Sequence, residues 1–250
     1  MPGLRILLSL AIGLATLPVA ADEIRIAVAA NFTATLQRIA GDFTRASGHR
    51  VLISSSSTGK HYAQIRNGAG FDIFFAADAE RPALLEQQGI GVPGSRFVYA
   101  TGRLALWTRG EAVVGDPADV LRGGRFARLA IANPRLAPYG LAAEQALRAW
   151  QLWDKLQPKL VRGENVGQAY QYAATGNAEW GLVALSQVLA REPRVRGSYA
   201  IVPATLHTPI SQEALLLRPS RAGEAFLAFL RGDAAAQVLR EAGYAAPGRS

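Results

Sequence analysis

From Glu23 onward the chain alternates short apolar runs with segments of helical spacing, and this alternation constrains the fold more than any other feature. Residues 23–29 alternate and then turn wholly apolar, as a buried strand does. A turn over 30–33 follows. Leu36, Ile39, Ala40 and Phe43 then recur at helical spacing over 34–46, and Gly48 ends the helix. The same reading gives a strand at 51–53, a helix at 61–67, a strand at 71–76 and a helix at 81–88. Strands that alternate with helices predict parallel strands joined by helical crossovers, an α/β fold.

Residues 97–108 read as one long strand. Alternation then resumes, with strands at 129–132, 160–162, 181–184 and 199–203 and helices at 139–150, 166–175 and 186–190. Residues 212–217 are strand-like, and 222–242 are helical pieces broken at Gly232. Two α/β halves emerge with no linker of shifted composition. The chain is expected to cross from one lobe to the other near Thr101-Gly102 and back over 204–207. Lobe I would comprise 22–101 and 205–250, and lobe II 102–204. Two crossings make a hinge, with a ligand cleft at the carboxyl ends of the strands.

The residues before this alternation carry a different signal. Arg5 is followed by the apolar run 6–15 and then by Val19-Ala20-Ala21. One positive charge, a short apolar stretch and small residues at its end describe a secretory signal peptide over 1–21, cut before Asp22. The run is shorter than the roughly 20 apolar residues a membrane span needs. The expected compartment is the periplasm. Cysteine is absent, which excludes disulfides, thiolate metal sites and a cysteine nucleophile. The formal charge is +8, carried mostly by scattered arginines. No basic block or basic–aromatic interleaving appears, so nucleic acid is not an expected partner. A diffuse positive field that draws small anions is.

Several catalytic patterns fail on inspection. Residues 89–94 match a dinucleotide spacing, but they follow a helix and contain Pro93. Gly59-Lys60 lacks the leading glycine of a phosphate loop, and His61 stands where a magnesium-binding hydroxyl should be. Ser57-Thr58-Gly59-Lys60 fits the Ser-x-x-Lys pattern of acylated serine enzymes, yet neither companion tripeptide occurs. His49, His61 and His207 have no ligand partner at helical spacing. Asp72 and Asp78 flank a strand, and they read as strand-end and cap residues rather than paired acids. What remains is a repeated arrangement. Ala29-Ala30-Asn31, Ser56-Ser57-Thr58-Gly59, Pro138-Tyr139-Gly140 and Glu164-Asn165-Val166 each stand at the start of a helix. Such starts offer free N–H donors and the positive end of the helix dipole to an anion.

These segments, with Asp72-Ile73-Phe74-Phe75-Ala76-Ala77-Asp78 and the Asn133-Pro134-Arg135-Leu136-Ala137 that leads into Pro138, resemble the periplasmic molybdate-binding proteins of ABC transporters. The resemblance runs in order through the whole mature chain. It implies a type II periplasmic binding protein: two α/β lobes joined by crossover hinge strands, a cleft between them, and no catalysis or cofactor. The implied ligand is molybdate or tungstate, delivered by a monomer to a membrane permease. The implied binding residues are Ala30, Asn31, Thr58, Tyr139 and Val166. Some relatives carry a tyrosine whose phenol binds the oxyanion where this chain has Ala184, and the Tyr139 phenol is the expected replacement.

The chemistry agrees with such a ligand. Molybdate is a fully deprotonated dianion near neutral pH, so its site needs donors and no carboxylate. Hydrogen phosphate would need an acceptor, which these residues do not obviously offer. Sulfate carries the same charge and differs in size. Two alternatives stay open at this point: a binding protein for sulfate, thiosulfate or phosphate, and an exported serine hydrolase using Ser57 and Lys60.

Overall fold

The computed structural model describes residues 21–110, 115–190 and 196–246, so residues 1–20 of the expected leader lie outside the described residues. The first stretch runs β1 (Glu23–Ala29), a 3₁₀ turn (Ala30–Phe32), α1 (Thr33–Ser47), β2 (Arg50–Ser56), α2 (Thr58–Arg66), β3 (Ile73–Ala76), α3 (Glu80–Gln87) and β4 (Phe97–Gly102). The second runs β5 (Leu104–Thr108), α4 (Pro117–Arg122), β6 (Leu129–Ala132), α5 (Pro138–Ala149), α6 (Trp153–Leu156), β7 (Leu160–Gly163), α7 (Val166–Ala174), β8 (Trp180–Ala184), α8 (Leu185–Leu189) and β9 (Ser198–Ile201). The chain then closes with β10 (Ile210–Leu216), α9 (Arg221–Leu230) and α10 (Asp233–Glu241).

Two five-stranded sheets result, ordered β2-β1-β3-β10-β4 and β7-β6-β8-β5-β9. Each begins with three parallel strands and continues with antiparallel ones. The run 97–108, expected as one strand, is two. β4 pairs with β10 in the first sheet and β5 with β8 and β9 in the second, with Arg103 alone between them. An unbroken apolar run fits a strand in either sheet, so the pattern of side chains cannot mark where partners change. The return crossing lies between Ile201 and Ile210.

Each sheet has its own core. In the first, Leu36, Ile39 and Phe43 of α1 pack with Ile26, Phe75 and Phe226 and are almost wholly buried. Phe32, Phe75 and Tyr99 form an aromatic cluster with ring centroids 4.6–5.6 Å apart, Phe75 and Tyr99 edge to face. The second core is built from Leu104, Trp107, Leu129, Ile131 and Leu182 against the alanine-rich face of α5, Ala142, Ala143 and Ala146. Small side chains there let helix and sheet approach closely. Gly140 carries this furthest, because a Cβ on it would strike the Ala132 carbonyl. The 3₁₀ turn into α1, and helices α2, α5 and α7, all begin beyond the carboxyl ends of β1, β2, β6 and β7, and those four starts meet.

Candidate functional site

Local capping decides what each helix start can offer. Helix α2 begins three residues earlier than its apolar pattern suggests. Ser57 caps it, with Oγ accepting from the Lys60 N–H at 3.3 Å. Thr58 is therefore the first helical residue, and its N–H has no intrahelical acceptor. Helix α7 is built the same way. Asn165 Oδ1 accepts from the Gln168 N–H at 3.0 Å, and Val166 opens the helix. The turn at Ala30–Phe32 and helix α5 receive no side-chain cap at all. Pro138 fills the first position of α5, where its missing N–H costs nothing, and Tyr139 follows with its N–H free of the helix ladder.

These starts enclose one small cavity. Ala30, Asn31, Thr58, Tyr139 and Val166 all line it, with Ala29, Ser56, Ser57, Ala77, Ala137, Pro138 and Asn165. No carboxylate and no cationic side chain is among them. The space is about 10 Å³ for the centre of a water-sized group, room for one small species. The Thr58 hydroxyl accepts from the Ala77 N–H at 3.0 Å, which leaves its single proton to donate elsewhere.

Contacts between elements of the two sheets surround the cavity. The Gly59 N–H donates to the Leu136 carbonyl at 2.9 Å, and a Cβ on Gly59 would stand 2.9 Å from that same oxygen. Ser186 Oγ donates to the Asn31 carbonyl at 2.8 Å in the interior. At the rim Lys60 Nζ pairs with Glu164 at 3.2 Å, exposed to solvent. Lys60 is thus turned away from the cavity.

Behind Asn31 lies a buried polar network that sequence reasoning missed. Asn31 Nδ2 donates to Gln212 Oε1 at 2.9 Å and to Tyr244 Oη at 3.1 Å. Tyr99 Oη donates to Gln212 Oε1 at 2.8 Å, and Gln212 Nε2 donates to Tyr139 Oη at 3.3 Å. Tyr244 Oη donates to the Asn31 carbonyl at 2.9 Å. The ladder between β10 and β4 shifts register between Gln212 and Glu213, with Tyr99 passed over, and such a bulge re-aims side chains. Burial raises all three phenols, Tyr99 and Tyr139 well above the ordinary value and Tyr244 to about 12, so they stay neutral. Gln212, between Ser211 and Glu213 and just ahead of the apolar run 214–217, was the available signal for this network.

The structure gives the Tyr139 phenol partners within the protein. Its oxygen sits against Gly102 and takes a hydrogen bond from Gln212 and another from the Arg103 main chain, on the side of the crossing strands. Helix α5 fixes the Cα–Cβ direction so that the ring runs under the helix toward β10. Tyr139 lines the cavity from the start of α5, where its main-chain N–H is free of the helix ladder. Ala184 ends β8 and is not part of the cavity lining.

The remaining motifs resolve as structure. Ser57 is a cap and Lys60 an exposed ion pair, so the two cannot act as nucleophile and base. Asp72 Oδ2 accepts from the Arg25 N–H at 2.7 Å, and Asp78 Oδ1, two residues ahead of α3, accepts from the Arg81 N–H at 3.0 Å. Burial raises the Asp78 carboxyl, opposed by the paired Arg81 guanidinium. His61 is a core imidazole, Nδ1 3.0 Å from Gln64 Oε1 and edge-on to Phe71. Among the described residues no group of His, Cys, Asp and Glu could hold a metal ion.

The bacterial extracellular solute-binding protein model matches residues 24–245. The chain belongs to that family. Family members bind solutes rather than catalyse reactions, and the serine-hydrolase alternative falls with the geometry above. The chain is 44% identical to the molybdate-binding protein ModA of Azotobacter vinelandii over 96% of both chains. It is 44% identical to ModA of Rhodobacter capsulatus over 95% of this chain and 93% of that one. The solved periplasmic molybdate-binding protein of Azotobacter vinelandii superposes with a TM-score of 0.85 at 40% identity, covering 90% of this chain and 99% of that one. The two α/β lobes of the family fold are the two sheets described above.

Proposed function

We propose that the protein captures molybdate, and tungstate with it, between its two lobes and hands the ion to the permease of an ABC transporter. The observation that carries this reading is a cavity for one small ion lined by helix starts and a hydroxyl donor, with no carboxylate in its wall. The ligand set is the Thr58 hydroxyl, the Asn31 side chain and main-chain N–H groups of Ala30, Asn31, Thr58, Tyr139 and Val166. Neutral donors hold a dianion without a counter-charge because each hydrogen bond to an ionised oxygen is stronger than one to a neutral acceptor. The wall excludes by size and by the absence of a strong base. The relatives bound to molybdate by name support the choice of ion over sulfate, thiosulfate or phosphate.

Lobe I spans 22–101 and 205–250 and lobe II 102–204, hinged at the two crossings. The ion touches both and so favours the closed arrangement. Residues 1–21 direct the chain to the periplasm, where it works as a monomer. Calorimetry on the exported chain with molybdate, tungstate, sulfate, thiosulfate and phosphate tests the reading. Molybdate and tungstate should bind tightest. Silence toward both, or tighter binding of sulfate, overturns it. Small-angle scattering should show a smaller radius of gyration with molybdate.

A further inference from the structure

Asn31 is 3% exposed and lines the cavity, and its Oδ1 is buried with no hydrogen-bond partner. Its Nδ2 is engaged on the far side with Gln212 and Tyr244. In this register the unpartnered end of the amide is an acceptor, not a donor, on a residue that lines a site for an anion. An unpaired buried acceptor is costly, and an oxyanion without a proton gives it nothing to bind.

The two ends of a carboxamide have nearly the same shape and opposite hydrogen-bond sense. If the Asn31 and Gln212 amides both turn over, every bond in the chain is remade in the other direction. Gln212 Nε2 donates to Asn31 Oδ1 and to Tyr99 Oη. Tyr99 Oη then donates to the Ala76 carbonyl, 3.5 Å away. Tyr139 Oη donates to Gln212 Oε1. Tyr244 Oη turns from the Asn31 carbonyl to Asn31 Oδ1, and Ser186 still serves that carbonyl. Both protons of Asn31 Nδ2 then remain for the ligand.

We propose that Gln212 is a positioning residue that sets the hydrogen-bond sense of Asn31, so that one register presents a donor to a fully deprotonated oxyanion and the other an acceptor to a singly protonated one. Selection against hydrogen phosphate then resides in the second register, which molybdate stabilises and a protonated ion does not. This rests on the oxyanion reading above.

The test is Gln212→Glu. A carboxylate at that place only accepts, from Asn31 Nδ2, Tyr99 and Tyr139, and locks the acceptor register. Molybdate affinity should fall at least about 10-fold, and the ratio of molybdate to hydrogen-phosphate dissociation constants should move at least about 10-fold toward hydrogen phosphate. Both ions are dianions, so added charge at position 212 cancels in that ratio. Gln212→Leu frees Asn31 to turn either way and should leave the ratio within about threefold of the parent. Tyr139→Phe, which keeps the ring, removes a partner that Gln212 uses in both registers and should leave the ratio within about threefold of the parent. The Asn31 side-chain amide protons should shift strongly on molybdate addition in the parent and not in Gln212→Glu. An unchanged ratio in Gln212→Glu, or equal ratios in the Glu and Leu variants, overturns the proposal. If Gln212→Glu does not fold, Asn31 side-chain amide protons that do not move on molybdate addition to the parent do so. A parent protein that binds no oxyanion at all defeats the oxyanion reading instead.

Discussion

The two lobes repeat one plan of strands and contribute different chemistry. Lobe I brings side chains to the cavity, the Thr58 hydroxyl and the Asn31 amide, each held from behind by buried partners. Lobe II brings main-chain N–H groups at the starts of α5 and α7, on helices packed through alanine and glycine. Main-chain donors are fixed by the fold and cannot be adjusted one at a time. Side-chain donors can be lost, replaced or turned over singly. On the proposed reading, both lobes grip the ion and the first selects it.

The sharpest way to test that asymmetry is Thr58→Ala. On the proposed reading its hydroxyl donates to an ionised oxygen, a bond worth roughly 1.5–3 kcal/mol, so molybdate should bind about 10- to 150-fold more weakly by calorimetry. Lobe II has no side chain whose removal should match it. Gly59→Ala separates closure from folding. Its Cβ would meet the Leu136 carbonyl across the cleft, while alanine favours a helix over glycine. Overpacking of this kind costs roughly 1–3 kcal/mol, so affinity should fall on the order of 10-fold with the melting temperature of the ligand-free protein held or slightly raised. A parallel fall in both would place Gly59 in the fold and not in the closure.

His61 gives lobe I a pH sensitivity. Its pKa is lowered by burial, so the folded state binds the proton less readily than the unfolded chain. Stability is complete above the unfolded value near 6.5 and declines as pH falls toward the lower folded value, by at most about 1.4 kcal/mol per pH unit. Denaturant unfolding from pH 7.5 to 5 should show this loss, and His61→Phe should flatten it. The smallest effect belongs to Lys60→Ala. The Lys60–Glu164 pair joins the lobes, but both partners are about half exposed, so molybdate affinity should change by no more than about fivefold and less at high salt.

The helix starts were legible in the sequence because caps and small residues announce them locally. Asn31, Thr58, Tyr139 and Val166 stand in segments read as leading from a strand into a helix, and they line one cavity. The break at Arg103 was not legible, because β4 and β5 owe their separation to partners more than 70 residues away. The direction of the Tyr139 phenol was not legible either. It depends on a side-chain torsion set by Gln212 and Gly102, which no local pattern encodes. Helix α4 and the single turn α6 were missed because each is too short for a period to repeat.

The position of β10 has a consequence for the order in which the protein is made. It lies between β3 and β4, so the first sheet has a gap in its middle until residues 210–216 exist. By then the whole second sheet has been synthesised. A chain growing from its amino terminus therefore completes the inner lobe before the outer one, and β4 has no sheet neighbour until then. Pairings this distant in sequence form slowly. Gln212 arrives on that strand and Tyr244 follows it, so the amide network behind Asn31 is the last part of the cavity's surroundings to be assembled.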